Sequence, residues 1–376
     1  FFIVPCNVFF WSTAGCEGLN IFLFSQARQF VLNYQHEKRI FKLEQHRILS
    51  WFALAIAFLF IPFVGNDYLF NAILVPYLVL ALAGLGLNIL TGYTGQLSLG
   101  SAAFMTVGAF ATYNLELRIP QLPVLLSIFL GAVITAIFGV IVGLPSLRIK
   151  GFYLIVSTLA AQFFVPWLLT QYGWFSNHNA SGVITAPNLS IWGISFNSAV
   201  GHYLLTLGIV VVLTLLARNL LQSQHGRNFQ AVRDMETAAI SLGVPVAKTK
   251  LLAFAISSFY LGIAGSLWAF AYLGTIEADG LDLNRSFQIL FIIIIGGLGS
   301  LAGSFFGAAF IVLLPIFLSL MGTTLFGQSV DQALLQNIQK IIFGILIIYF
   351  LIKEPEGIGR LYTRLYQRLR AWPLRH

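Results

Sequence analysis

Residues able to do covalent chemistry are scarce in this sequence, and their spacing argues against catalysis. The six histidines (His36, His46, His178, His202, His225 and His376) fall at no metal-ligand spacing, and no nucleophile–base grouping is visible. Cys6 and Cys16 both lie within the first sixteen residues and imply neither a disulfide framework nor a metal knuckle. No G-x-x-x-x-G-K-[ST] run is present, so the chain has no loop of its own to cradle nucleotide phosphates. The expectation is a protein that is not an enzyme and holds no cofactor. Its chemistry is that of contact and of exposed backbone, and it concentrates in two places.

The first is the polar stretch 228–242, NFQAVRDMETAAISL. Phe229, Val232, Met235, Ala239 and Leu242 recur at spacings of three and four, which predicts one amphipathic helix. Gly243 suits a left-handed C-cap and Pro245 follows it, a strong stop. About 22 Å long at 1.5 Å per residue, such a helix is too short and too polar to span a membrane. It either lies on the bilayer surface or docks into a partner. Small residues at Ala231, Ala238, Ala239 and Gly243 would allow close approach, with Arg233, Asp234 and Glu236 among the polar positions, and 236–243 has an E-x-A-A-x-x-x-G outline.

The second is a pair of glycine-interrupted apolar segments. In 88–111 the break is carried by Gly92, Gly95, Gly100 and Gly108 with Asn88, Gln96 and Ser98; in 296–304 it is carried by Gly296, Gly297, Gly299 and Gly303. Non-helical backbone at membrane depth is tolerated only where it is packed in protein or lines a wet cavity. Glycine-broken segments in corresponding positions of two halves point to a translocation pathway. Close helix packing through small residues is the other reading, and the two are compatible.

The elements that must position these residues follow from composition. Of 376 residues, 58% are hydrophobic and only 9% charged, against about 25% charged in soluble globules. The fold class expected is all-α, a polytopic transmembrane bundle of about 8–10 spans. Apolar runs occur at 48–64, 69–90, 97–113, 123–144, 152–172, 202–217, 251–275, 287–298, 301–321 and 338–352. The run 287–298 is too short to cross alone and reads as broken or re-entrant. The organisation expected is an extension at 1–47, a membrane domain at 48–352 with a loop at 218–250, and a basic tail at 353–376.

Alternating sides along these spans gathers the basic residues on one face. Lys38, Arg39, Lys42 and Arg47 fall together with Arg148 and Lys150, with Arg218, Arg227, Arg233, Lys248 and Lys250, and with the tail. The positive-inside rule then places that face, and the C-terminus, in the cytoplasm. The net charge of +8 is thereby explained without nucleic acid. The loop 173–201, free of Lys and Arg, falls outside. No Asp, Glu, Lys or Arg sits near the middle of a span, as proton-driven carriers and voltage sensors generally require. A self-contained ion-coupled carrier using backbone carbonyls is the alternative; otherwise the energy source lies on another chain.

Four ordered motifs carry a family resemblance: GYTGQLSLGSAAF (92–104), LRIKGFYLIVSTLAAQF (147–163), AVRDMETAAISLGVPVAKTKLLAFAISSFYLGIAGSL (231–267) and GGLGSLAGSFFGA (296–308). Together they resemble the inner-membrane permease subunits of branched-chain (hydrophobic) amino-acid ABC importers, from about residue 69 to residue 359. The resemblance implies two ATPase subunits carrying ATP and Mg²⁺, a second, non-identical permease subunit, a periplasmic solute-binding protein, and a location in the bacterial inner membrane. It also implies that 231–243 docks an ATPase and that 92–100 and 296–303 border the path. Members often carry His after the Leu-Ser-Leu-Gly run, where this chain has Ser101, and the outer loop here reads Trp174-Phe-Ser-Asn-His-Asn-Ala-Ser-Gly182. Relatives serve leucine-like amino acids, urea, short amides and aromatic acids, so the solute stays open among these.

Overall fold

Helix α1 (Val75–Asn88) is apolar around its whole circumference, and every one of its residues except Tyr77 is buried. A helix with no polar face belongs in the middle of a bundle. Wider π-type turns at Leu69–Leu74 and Ile89–Tyr93 extend it into a single rod, Leu69–Tyr93, about 38 Å long at 1.5 Å per residue. Around this rod a computed structural model arranges α2 (Ser101–Arg118), α3 (Val124–Gly143), α4 (Phe152–Gln171), α5 (Ala199–Gln222) and α8 (Val246–Leu267). Two shorter helices, α6 (Gln224–Asp234) and α7 (Glu236–Ser241), interrupt the run between α5 and α8. A hairpin of α9 (Leu283–Gly296) and α10 (Leu301–Phe326) closes the bundle against α1. The structure describes residues 57–58, 61–119, 122–147, 152–175, 177, 183–185, 190–191, 194–195, 198–277, 280–326 and scattered positions between 337 and 359. The extension at 1–47, most of the first expected span and most of the basic tail lie outside the described residues.

Six described segments are long and apolar enough to cross a membrane: Leu69–Tyr93, Val124–Gly143, Tyr153–Gln171, Ala199–Gln222, Val246–Leu273 and Leu301–Met321. The expected total of eight to ten differs for identifiable reasons. Helix α2 carries Thr106, Thr112, Asn114 and Glu116, and α9 has only 14 residues. The runs at 48–64 and 338–352 are only partly described. The span expected at 97–113 begins instead at Ser101 and continues to Arg118.

The centre of the bundle is α1, α2, α3 and α8. Small residues let these backbones meet: a Cβ on Gly108 would stand 2.3 Å from the Gly262 carbonyl oxygen, and one on Gly139 2.0 Å from Ser258 Oγ. In lipid, where apolar surface gains little by association, such close packing is what holds helices together. Two of the buried hydroxyls there are returned to their own helices; Thr106 donates to Ala102 O, and Thr135 to Gly131 O. The outer surfaces of α3 and α4 expose Phe129, Ile137, Ile141 and Phe164, an apolar layer suited to hydrocarbon rather than water. At the end opposite α6 and α7, two small ribbons join the loops: β1 (Val183–Thr185) pairs antiparallel with β4 (Thr275–Glu277), and β2 (Ser190–Ile191) with β3 (Ile194–Ser195).

Candidate functional site

The polar stretch after α5 folds differently from the single helix that its periodicity suggests. Ser223 caps α6, its Oγ accepting from the His225 amide at 3.2 Å, and α6 buries Gly226, Phe229 and Val232. At Met235 the backbone turns extended (φ −159°, ψ 99°), and a second short helix, α7, follows. The predicted apolar stripe is therefore divided. Phe229, Val232 and Ala239 face inward, while Met235, Ile240 and Leu242 are 63%, 58% and 80% exposed. Two contacts flank the break. Before it, Arg233 reaches into the bundle; after it, Glu236 pairs with Lys250 of α8 at 3.0 Å. The stop signal forms as expected. Gly243 takes φ +79°, its amide donates to Ile240 O, and the Val244 amide donates to Ala239 O. That is the doubly bonded left-handed cap, a conformation that strains any residue bearing a Cβ. Of the remaining expected residues here, Ala231 is half-buried, and Asp234 and Ala238 are exposed. Asp234 also receives Arg233 Nε at 3.0 Å.

The two glycine-broken segments meet at this same end of the bundle. Asn88, on the last turn of α1, is wholly buried and spans the gap between them. Its Nδ2 donates to Ser300 O at 2.9 Å and to Ser304 Oγ at 3.0 Å, and its Oδ1 accepts from the Gly299 amide at 2.8 Å. One side chain thus satisfies the turn between α9 and α10. The backbones themselves touch: a Cβ on Gly92 would lie 2.4 Å from the Gly299 nitrogen, and one on Gly296 2.1 Å from Gly303 O. Arg233 Nη1 donates to the Gly92 carbonyl at 2.9 Å. The same guanidinium lies against Gly299, where a Cβ would be 3.3 Å from Nη1, and its Cγ lies 3.0 Å from the Cβ position of Gly95. Gly297 joins the cluster from the tail side, where a Cβ on Gly357 would stand 2.4 Å from its nitrogen. Three parts of the chain, around residues 92, 233 and 299, are therefore joined at Arg233 and Asn88.

From Gln96 to Gly100 the backbone is irregular before α2 begins. Its amides find side-chain partners: Leu99 N donates to Thr158 Oγ1, Gly100 N to Ser98 Oγ, Ala102 N to Ser286 Oγ and Ala103 N to Gln162 Oε1. The exposed N–H groups of a helix start inside the bundle need such acceptors. Gln162 was not anticipated. It also accepts from Ser286 Oγ and donates to Leu281 O, so it ties α2, α4 and the start of α9 together. An amide in the middle of the mostly apolar run 152–172 is the signal that could have found it. A cavity of about 430 Å³ opens beside it, lined also by Trp167, Thr170 and Asp282. Two polar groups in the break remain without a protein partner: both ends of the Gln96 amide and the Ser101 hydroxyl, each on a residue at least nine-tenths buried. Among the described residues no three His, Cys, Asp or Glu side chains gather where a metal ion could sit.

Residues 69–351 match the family described as branched-chain amino acid transport system, permease component. The chain is 26% identical over 334 residues to the high-affinity branched-chain amino acid transport system permease protein LivM of Salmonella typhimurium and, to the same degree, of Escherichia coli, covering 83% of this chain and 74% of each relative. It is 23% identical over 266 residues to a probable LivM of Methanocaldococcus jannaschii, covering 68% of this chain and 75% of that one. No solved structure matches significantly. A helical bundle with six described segments long and apolar enough to cross a membrane, and a family match over three quarters of its length, is a multi-pass transport subunit: the chain belongs to the permease components of branched-chain amino acid transport systems.

Proposed function

We propose that the chain is the membrane subunit of an ATP-driven importer for branched-chain amino acids or a related small solute. The observation that carries this reading is the α6–α7 corner. It offers Met235, Ile240 and Leu242 outward, an apolar set on an otherwise polar loop, while its inner side grips both glycine-broken segments. Apolar side chains exposed together outside the lipid layer suit a protein partner, here a pair of ATPase subunits that hold ATP and Mg²⁺. The second permease subunit, the solute-binding protein, the cytoplasmic side for α6–α7 and the bacterial inner membrane belong to the same reading. Closure of the ATPases would press on α7, and the broken segments would shift against one another to open the path.

Solute contacts fall to groups that the fold leaves unspent. Gln96 and Ser101 are the buried polar side chains of the break that lack partners, and the cavity beside Gln162 lies next to the start of the same helix. The test is reconstitution. Uptake of leucine-like amino acids into proteoliposomes should require the ATPase subunits, ATP and the binding protein. Uptake by the chain alone, driven by an ion gradient, would instead establish a self-contained carrier.

A further inference from the structure

The break at Met235 separates two contacts that run to different parts of the bundle. On the α6 side, Arg233 donates to Gly92 O at 2.9 Å and packs against Gly95 and Gly299, so it holds the turn after α1 and the turn before α10. On the α7 side, Glu236 pairs with Lys250, one turn into α8, at 3.0 Å; the two side chains are 26% and 10% exposed. The residues are only three apart, yet they sit on two helices whose axes are interrupted by one extended residue. On a continuous helix, positions three apart face the same way and would engage the same neighbour. Met235 itself makes the junction without a side-chain cap and stands 63% exposed.

We propose that Met235 is a hinge dividing the corner into two independent levers: Arg233 moves the paired glycine turns, and Glu236 moves the start of α8. A load placed on the exposed Met235–Leu242 face would then reach the bundle along two routes. Arg233 is a positioning residue on this view and not part of the docking contact. The functional half of the inference rests on the proposed importer role. The mechanical half does not, because it concerns contacts within this one chain.

The experiment is hydrogen exchange on the full chain in lipid nanodiscs, with Arg233→Gln, Glu236→Ala and the double variant. Arg233→Gln should accelerate exchange about tenfold at Gly95, Gln96, Gly299 and Ser300, the loss of one charge-assisted bond, and leave the amides of Thr249 and Ala253 unchanged. Glu236→Ala should do the reverse, and the double variant should equal the two together. Acceleration at both places by either single variant, or a double variant that departs from additivity, overturns the hinge. In the reconstituted importer Arg233→Gln should lower uptake per ATP hydrolysed while the ATPases still co-purify, and Arg233→Lys should restore part of that ratio. Loss of co-purification would make Arg233 a docking contact and also overturn the assignment. If wild-type uptake proves independent of ATP, the importer reading fails while the exchange result still judges the hinge.

Discussion

Replacing Asn88 by Leu tests whether one buried amide holds the α9–α10 hairpin on the central rod. Leu keeps a similar size and shape and deletes three hydrogen bonds, of 2.9, 3.0 and 2.8 Å, that reach residues more than two hundred positions away. Hydrogen bonds between membrane helices average about 0.6 kcal/mol each and reach about 1.7 kcal/mol, so three lie between about 2 and 5 kcal/mol. The upper half of that range applies here. Gly299 holds φ +78° in a tight turn, so its stranded amide cannot swing to a new acceptor, and a buried unpaired group costs about 1–3 kcal/mol. The expected loss is therefore about 4 kcal/mol, several hundredfold in the equilibrium between packed and unpacked hairpin. Ser304→Ala, which removes only one of the three bonds, should cost about 1 kcal/mol or less. Reversible unfolding in mixed micelles, followed for wild type and both variants, measures the difference. The reasoning is refuted if Asn88→Leu unfolds within about 0.5 kcal/mol of wild type, well below the three-bond range, or if Ser304→Ala costs as much as Asn88→Leu.

Gly243→Val forces a β-branched residue to φ +79°, at about 1–2 kcal/mol, and should fray the end of α7; uptake should fall while the amount of protein in the membrane, measured by immunoblot, stays at the wild-type level. Gln162→Leu strands the Ala103 amide and the Leu281 carbonyl at the start of α2 and α9, and should destabilise by about 2–4 kcal/mol in the same unfolding assay. Gln96→Leu runs the other way. Its amide has no protein partner to lose, so the variant should be as stable as wild type or more so, while the concentration dependence of solute uptake changes.

Local patterning carries far in this chain, and stops where distant residues decide. The run from Val75 to Asn88 has no polar face, so its place at the centre follows from its own residues. Gly243 and the Pro two positions later announce the cap because left-handed backbone and a missing N–H are local properties. The break at Met235 could not be read the same way. Phe229, Val232, Met235 and Ala239 fit one helix face, and nothing nearby forbids it. What favours the break is the reach of Arg233 to a carbonyl 141 positions earlier and of Glu236 to a lysine 14 positions later. Asn88 is similar: its type marks it as unusual in an apolar helix, but its partners lie on a turn beyond residue 298.

The glycine-broken segments admit two compatible explanations, packing and passage, and the hydrogen-bond capacity of their residues bears on both. An Asn side chain offers two donors and an acceptor oxygen. In Asn88 both the amide nitrogen and the oxygen are engaged within the fold, and the neighbouring glycines are filled by the opposing backbone, so this part of the seam serves cohesion. Gln96 carries the same functional group eight residues on, also buried, with neither end paired. Of the described buried side-chain amides, Asn88 and Gln162 are paired at both ends and Asn114 through its nitrogen, so Gln96, unpaired at both, carries a cost in stability that no contact in the fold offsets. On the proposed importer reading its use lies in what the segment meets during transport, where a polar solute would supply the missing partners.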